Sequence, residues 1–339
     1  MRVAVVTEPY KVEIEDRPIP KIGEKDVLIK AVRVGICGSD IHLYKGTHAF
    51  RNPPAVLGHE ISGEVVEIGP AVTKYKTGDR VTVEPQIPCG ECNLCKSGHV
   101  NLCKHKIVPG TKEWCGTFAE YFAAPEDTVY KLADSVSYDV GALTEPLAVA
   151  VQAMNFCDDA NKNSIAILGS GTIGLLTLAV AVKRGYQKIF CTDTAAFNRE
   201  MACKLGATAA YDPRNDNIEE LIRDATKGEG VDVCVVAAGA PDIIDQASAV
   251  TKKLGEVVLV AMITRKIPVY TYSFVFNEQK LIGSMTYTTE AFREACEMIN
   301  EGIHVEPIIT HCLPLEEAGR GLRILDEKSE NAGKILIHL

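Results

Sequence analysis

"SIAILGSGTIGLLTLA", residues 164–179, carries the plainest structural signal in the chain. An apolar run of strand length, Ile165–Leu168, leads directly into Gly169-x-Gly171-x-x-Gly174, and a helix-length apolar run follows without a break. Alone, that glycine spacing is weak. Between a strand and a helix, each glycine acquires a task. The first permits the tight turn, the second lets backbone approach a pyrophosphate, and the third lets the helix pack closely on the strand. Phosphates then rest at the positive helix N-terminus, with Thr172 and Ile173 among the contacting residues. The next strand-like run, KIFCTD, ends in Asp193, 19 residues beyond Gly174. A carboxylate there can bond both ribose hydroxyls of an adenosine and would repel a 2′-phosphate. NAD is therefore expected over NADP, held by Gly169, Gly171, Thr172, Ile173, Gly174, Asp193 and Thr194. Arg199 lies near enough to join them, and otherwise reads as a helix-surface residue.

Outward from this stretch the texture is regular. Apolar runs (IAILG, KIFCTD, VDVCVVAAG, EVVLVAM, KLIGSM) alternate with helix-length segments at 172–185, 197–206 and 241–253. Continuous apolar strands with helices between them indicate a parallel sheet covered on both faces, a doubly wound Rossmann-type α/β unit. Residues before it differ: short β-like runs (VAVV, VLIKAVRV, EVVEIG, DRVTV) are punctuated by Gly and Pro, and the chain ends in a strand-like KILIHL. The expected organisation is a dinucleotide domain at 152–288 inserted into a β-rich domain of 1–151 and 289–339.

A length of 339 residues suits two domains, and 46% hydrophobic with 24% charged residues is the balance of a globular protein. The net charge of −9 argues against a nucleic-acid partner. The start, MRVAVVTEPYKVEIEDR, shows no secretory signal, and the longest apolar run, 173–182, is about half of what spans a bilayer. A cytoplasmic protein without a membrane partner is expected. Its twelve cysteines are then metal ligands or buried small hydrophobes rather than disulfides.

Four of them, Cys89, Cys92, Cys95 and Cys103, have C-x2-C-x2-C-x7-C spacing. Four thiolates fill a tetrahedral zinc shell and leave no position for substrate, the mark of a structural site. An iron–sulfur cluster uses four cysteines too, but nothing else in the sequence suggests electron transfer. His99 and His105 beside the run are surplus ligands. A second set is dispersed: Cys37 in VGICGSDIH, His59 and Glu60 in LGHE, and Glu145 in LTEPLAVA offer the mixed S, N and O shell of a catalytic zinc. Two zinc ions per chain are expected.

With GHE inside PPAVLGHEISGEVVEIG, the four-cysteine run, EPLAVA and GSGTIG, the sequence resembles the zinc-containing medium-chain dehydrogenase/reductase family, in its polyol (sorbitol) and threonine dehydrogenase branch. The resemblance covers nearly the whole chain. It implies a GroES-like catalytic domain around the Rossmann domain, and a zinc ion that lowers the pKa of a secondary alcohol, whose hydride passes to NAD to leave a ketone. It implies either Glu60 or Glu145 as the carboxylate ligand, directly or through water. It also implies a proton path from the alcohol through Ser39 and a cofactor ribose hydroxyl to His42. Asp40 either orients a ligand histidine or caps a helix. Tyr44, His48, Phe50, Trp114 and Phe118 are candidate pocket residues by nearness in sequence. The family's sorbitol enzymes carry an Arg-Tyr pair after the GS-type strand; here LIGSMTYT keeps Tyr287 but has Thr286 in place of Arg. That departure leaves other polyols, inositols, sugar acids, diols and threonine as substrates. The zinc-free quinone reductases of the same fold lack the ligands seen here, and a non-catalytic relative would not need them. A homodimer or homotetramer is the family's expectation, with an edge near YSFVFNEQKLIGSM suited to pairing.

Overall fold

The computed structural model describes residues 1–48, 51–157 and 163–339. Their contacts divide them into two units. One comprises Met1–Glu145, Thr288–Gly302 and Ile309–Leu339; the other comprises Pro146–Tyr287 and Ile303–Ile308. The expected boundaries at 151/152 and 288/289 move to 145/146 and 287/288, and residues 303–308 join the second unit. The first shift has a local cause. The texture change at Ser164 marks a strand, but the helix Thr144–Met154 precedes it, and its Leu147, Val151 and Met154 are fully buried.

The second unit is a six-stranded parallel sheet in the spatial order Ala209–Tyr211, Lys188–Thr192, Ser164–Leu168, Val231–Val236, Thr251–Leu259, Lys280–Gly283. Numbered along the chain this is 3-2-1-4-5-6, the doubly wound order. Ser164–Leu168 and Val231–Val236 are buried at every position, which is why they read as unbroken apolar runs. The strand order reverses between these two, and dinucleotides bind at the carboxyl ends beside such a reversal. The helix expected over 241–253 stops at Val250, because Thr251 already pairs in parallel with Val231. A bulge follows, with Leu254 at φ +63°. The apolar run 173–182 lies within the helix Thr172–Lys183. Among the described residues no helix is long and apolar enough to cross a membrane.

The first unit is built on a larger sheet, ordered Ile309–Pro314, Lys334–His338, Asp26–Gly35, Glu60–Ile68, Arg80–Val83, Val129–Lys131, with Tyr121–Pro125 also pairing Asp26–Gly35. A three-stranded sheet of Lys11–Asp16, Arg2–Glu8 and Ala55–Val56 accompanies it. Val3, Val5, Ile29, Val34, Ile61, Val81 and Phe118 form its dry core. At the end of the central strand, Gly35 pairs with Glu60 on one side and with Leu336 on the other, which ties three distant segments to one point. Position 35 must be glycine, since a Cβ there would stand 1.8 Å from Glu60 Oε2.

Candidate metal centre and dinucleotide cradle

The pairing of Gly35 with Glu60 sets the end of one strand beside the start of the next. Just past Gly35 the chain reaches Cys37, which caps the helix Gly38–Tyr44; just before Glu60 stands His59. The Cys37 sulfur, a His59 ring nitrogen and a Glu60 oxygen consequently lie within 4.8 Å of one another. Asp40, fully buried, fixes both approaches. It accepts from the Cys37 backbone N–H (3.0 Å) and from that of Gly58 (3.3 Å), and its Oδ1 lies 3.7 Å from His59 Nδ1. The two readings of Asp40 thus combine, since one carboxylate both caps the helix and braces the loop that carries His59.

Glu60 is held from the far side by Lys334, whose Nζ lies 2.7 Å from each carboxylate oxygen and 3.1 Å from the Ile36 carbonyl. Both partners are buried. Burial alone would lower the Lys334 pKa, but Glu60, then Cys37 and Glu145, hold it above its ordinary value. Burial, and after it the Glu60 carboxylate, push the Cys37 thiol up to about 11. A thiolate at that position therefore requires a cation beside it. The buried His59 Nδ1 has no hydrogen-bond partner, so a metal fits this pocket better than the protein alone does. The donor set of one sulfur, one nitrogen and one oxygen leaves a position open.

Glu145 sits buried in the first turn of Thr144–Met154 and close enough to act on Lys334, but its carboxylate is not among the converging donor atoms. Ser39 and His42 stand three residues apart on the helix Gly38–Tyr44, hence on one face. Ser39 Oγ accepts from Arg51 Nη2 (3.2 Å), and exposed His42 Nδ1 meets Thr47 Oγ1 (3.3 Å). Arg51 is buried, and it also donates to the Pro109 carbonyl and contacts His48. Burial and then the Arg51 charge lower the His48 pKa to about 4. Three aromatics expected in the pocket belong to the core instead. Tyr44, Trp114 and Phe118 lie in the apolar cluster of the first unit; Trp114 stacks on Phe122 and donates to the Ala123 carbonyl. Phe50 lies outside the described residues.

The four-cysteine run is a separate, local cluster. The sulfurs of Cys89, Cys92, Cys95 and Cys103 fall within 4.8 Å of one another, with Cys92 to Cys95 at 3.4 Å and Cys89 to Cys95 at 3.8 Å. A disulfide needs about 2 Å, whereas tetrahedral Zn–S bonds of about 2.3 Å put sulfurs roughly 3.8 Å apart. The short helix Asn93–Lys96 is capped by Cys92, whose sulfur accepts from the Cys95 N–H. Burial and the neighbouring sulfurs push the Cys95 thiol up to about 12, while backbone hydrogen bonding from Cys89 lowers that of Cys103.

In the second unit the fingerprint folds as its residue types require. Gly169 takes φ +103°, and a Cβ on Gly174 would stand 1.8 Å from the Gly169 carbonyl oxygen. A Cβ on Gly171 would meet nothing within 4 Å, so the backbone there faces open space. Together with the N-terminus of Thr172–Lys183, this is a cradle that a pyrophosphate fits. Asp193 accepts from the Ser170 N–H (2.9 Å) and the Ala195 N–H (2.8 Å). Arg199 turns to the Asp193 carbonyl (2.8 Å) and to Asp212 (3.3 Å). At the end of Lys280–Gly283, the hydroxyls of Ser284 and Thr286 are buried without a hydrogen-bond partner, Thr286 has φ +44°, and Tyr287 is buried. Nothing in the sequence pointed to Lys334, Arg51 or Asp212. Each acts through a partner brought to it by tertiary structure, and Lys334 lies 274 residues from Glu60.

Residues 23–134 match the alcohol dehydrogenase GroES-like domain, and residues 172–301 match the zinc-binding dehydrogenase family. The chain belongs to the zinc-binding alcohol dehydrogenases. As such it is an oxidoreductase with a GroES-like unit and a Rossmann-type parallel sheet, and its family uses zinc and a nicotinamide cofactor. It is 32% identical to an L-threonine 3-dehydrogenase of Caldanaerobacter subterraneus, over 100% of this chain and 99% of that one. It is 34% identical to a sorbitol dehydrogenase of Bacillus subtilis, over 97% and 95%. A Sinorhizobium meliloti protein solved with NADP bound superimposes with a TM-score of 0.93 at 30% identity, over 100% and 99%.

Proposed function

We propose that this dehydrogenase takes hydride from a secondary alcohol of a polyol or a related sugar alcohol or acid, passes it to NAD and leaves a ketone. The observation that carries this reading is the convergence of Cys37, His59 and Glu60 on one point, with a position left for substrate. A zinc ion on those residues supplies Lewis acidity, which lowers the pKa of an alcohol oxygen. The chain's own groups do the remaining work. Asp40 keeps Cys37 and the His59 loop in register, and Lys334 sets the direction of the Glu60 carboxylate. Ser39 and His42, on one helix face, carry the alcohol's proton towards solvent. Glu145 is the second candidate for the carboxylate ligand, directly or through water.

A second zinc on Cys89, Cys92, Cys95 and Cys103 braces its loop, making two per chain. NAD lies on Gly169, Gly171, Thr172, Ile173 and Gly174, with Asp193 and Thr194 at the adenosine ribose. All twelve cysteines are free, which supports a reducing cytoplasm. The edge strand Lys280–Gly283 and the helix Thr271–Asn277 expose Tyr272, Val275, Phe276 and Leu281. That apolar edge supports pairing of two copies, as a homodimer or within a homotetramer. The substrate is a small molecule, with neither nucleic acid nor membrane as a partner.

A second reading, L-threonine or a vicinal diol as substrate, is favoured by the full-length similarity to a threonine dehydrogenase and by Thr286. One screen separates the two: NADH formation by zinc-loaded enzyme across polyols, inositols, sugar acids, diols and threonine. Turnover of a polyol or sugar acid supports the first reading, and selective turnover of threonine or a diol supports the second. No turnover with any of them overturns both.

A further inference from the structure

The parallel register of Thr192 with Tyr211 sets the ends of two strands side by side, so Asp193 and Asp212 follow adjacent strands at the carboxyl edge of the sheet. The Asp193 N–H donates to the Tyr211 carbonyl at 3.1 Å. The two acids have different surroundings. Asp193 is half-buried and points back at the fingerprint turn through Ser170. Asp212 is buried and gathers two guanidinium groups. Arg199 Nη1 stands 3.3 Å from its Oδ2 while donating to the Asp193 carbonyl. Arg214 reaches it with Nε and Nη2, at 3.3 Å each, and donates from Nη2 to the Thr194 carbonyl as well. Asp212 is itself fixed: it accepts from the Arg214 N–H (3.1 Å) and Asn215 Nδ2 (3.1 Å), and its own N–H donates to Asp216 (2.8 Å). Of the three acids here, Asp212 is the one that pairs with the two guanidinium groups; with Asp193, Asp216, Arg199 and Arg214 counted, the cluster keeps one net negative charge. Hydrogen bonds from Arg214 and then its charge, with Arg199 adding charge, keep the Asp212 carboxyl below the usual range.

We propose that Asp212 determines cofactor choice by engaging Arg199 and Arg214, the two cations at the ribose end that would otherwise be available to the 2′-phosphate of NADP. This deepens the NAD assignment and rests on Gly169–Gly174 being a dinucleotide site. A site that accepts a 2′-phosphate presents a guanidinium to a dianion, in charge-assisted and often bidentate bonds. Here the fold brings two arginines to that place and engages Arg199 through Nη1, and Arg214 through Nε and Nη2, with a buried carboxylate and two carbonyls. A phosphate claiming one arginine would leave Asp212 buried with a single guanidinium partner, and one claiming both would leave its charge without a cation. Exclusion therefore has two parts: Asp193 repels the 2′-phosphate while accepting from the ribose hydroxyls of NAD, and Asp212 withholds the cations. The protein solved with NADP shares this fold at a TM-score of 0.93, so the choice between cofactors lies in side chains rather than in the sheet.

Titrations of NADH and NADPH into the full-length protein, followed by cofactor fluorescence, test the proposal. Asp212→Asn is expected to tighten NADPH about tenfold, or roughly one charge-assisted bond, with NADH affinity changed by less than about threefold. Adding Arg199→Met and Arg214→Met to that variant should abolish the gain. Asp212→Glu, which keeps the charge, should stay selective for NADH. Unchanged NADPH affinity in Asp212→Asn, a parallel loss of both cofactors, or a gain that survives removal of both arginines would each overturn the proposal. Wild-type protein that binds neither cofactor sinks the dinucleotide reading beneath it, a result distinct from the others.

Discussion

The Cys89–Cys103 loop and the Cys37–His59–Glu60 cluster both bring ligand atoms within 4.8 Å, by opposite means. The first takes four identical donors from fifteen consecutive residues, and its order is local: a one-turn helix, a capping sulfur and backbone N–H groups. The second takes three different donors from two strand ends. It needs Asp40 to hold both approaches and Lys334, from the last strand, to hold Glu60. A closed shell of like ligands can be assembled by a loop acting alone. An open shell has to be braced from outside, because one coordination position is kept for something other than protein. Structural and catalytic metal sites would thus differ in how much of the fold each recruits.

The largest effect should come from removing a donor at the open site. Cys37→Ser is expected to lower kcat by about a thousandfold or more, the several kcal/mol that a Lewis acid supplies. Elemental analysis should fall from two zinc ions per chain to one, with the far-UV spectrum unchanged. Turnover that survives with a single zinc would mean that the working site has been misplaced.

Cys89→Ser tests the other side. A structural zinc contributes folding free energy, so a stability loss of about 3–5 kcal/mol and a melting temperature lower by roughly 10 °C are expected. Activity per folded molecule should stay within about threefold of wild type. Loss of activity from a stable, folded Cys89→Ser protein would erase the distinction between the two sites.

Lys334→Met probes the bracing itself. It leaves the Glu60 carboxylate buried without its partner, and breaking such a pair costs about 3 kcal/mol or more. Adding Glu60→Gln should restore most of the stability but not the activity, since the carboxylate is then gone. If Lys334→Met alone is neutral in thermal unfolding, the open site does not depend on distant support, and the contrast with the cysteine loop fails.

The same contrast governs what can be read in advance. The four-cysteine spacing and the Gly169–Gly174 turn are local features, dictated by covalent neighbours, and they are legible as residue types at fixed intervals. Cys37 and His59 are legible as a set only by donor type, supported by resemblance, and the register of Gly35 with Glu60 explains why they meet. Lys334, Arg51 and Asp212 carry no signal at all. A buried Lys or Arg looks like any surface cation until the fold places its partner. The aromatics near the ligands mislead for the converse reason: Tyr44, Trp114 and Phe118 sit beside ligand segments in sequence, but the sheets need them as core.

The smallest expected effect sharpens the comparison most cheaply. His105 follows the last cysteine by two residues and is a good zinc ligand by type, as is His99. If the loop's shell is closed by four thiolates, neither imidazole has a position to fill. What His105 contributes to Cys103 is a backbone hydrogen bond, which helps hold that thiol below its ordinary pKa and which an alanine would also supply. His99 is likewise engaged elsewhere, with Nδ1 3.1 Å from Ser97 Oγ. The double variant His99→Ala/His105→Ala should therefore retain two zinc ions per chain and change stability by less than about 0.5 kcal/mol, the ordinary range for exposed positions. Loss of one zinc from this variant would make the loop a mixed-ligand site with a vacancy of its own, and the division between a closed and an open metal centre would have to be redrawn.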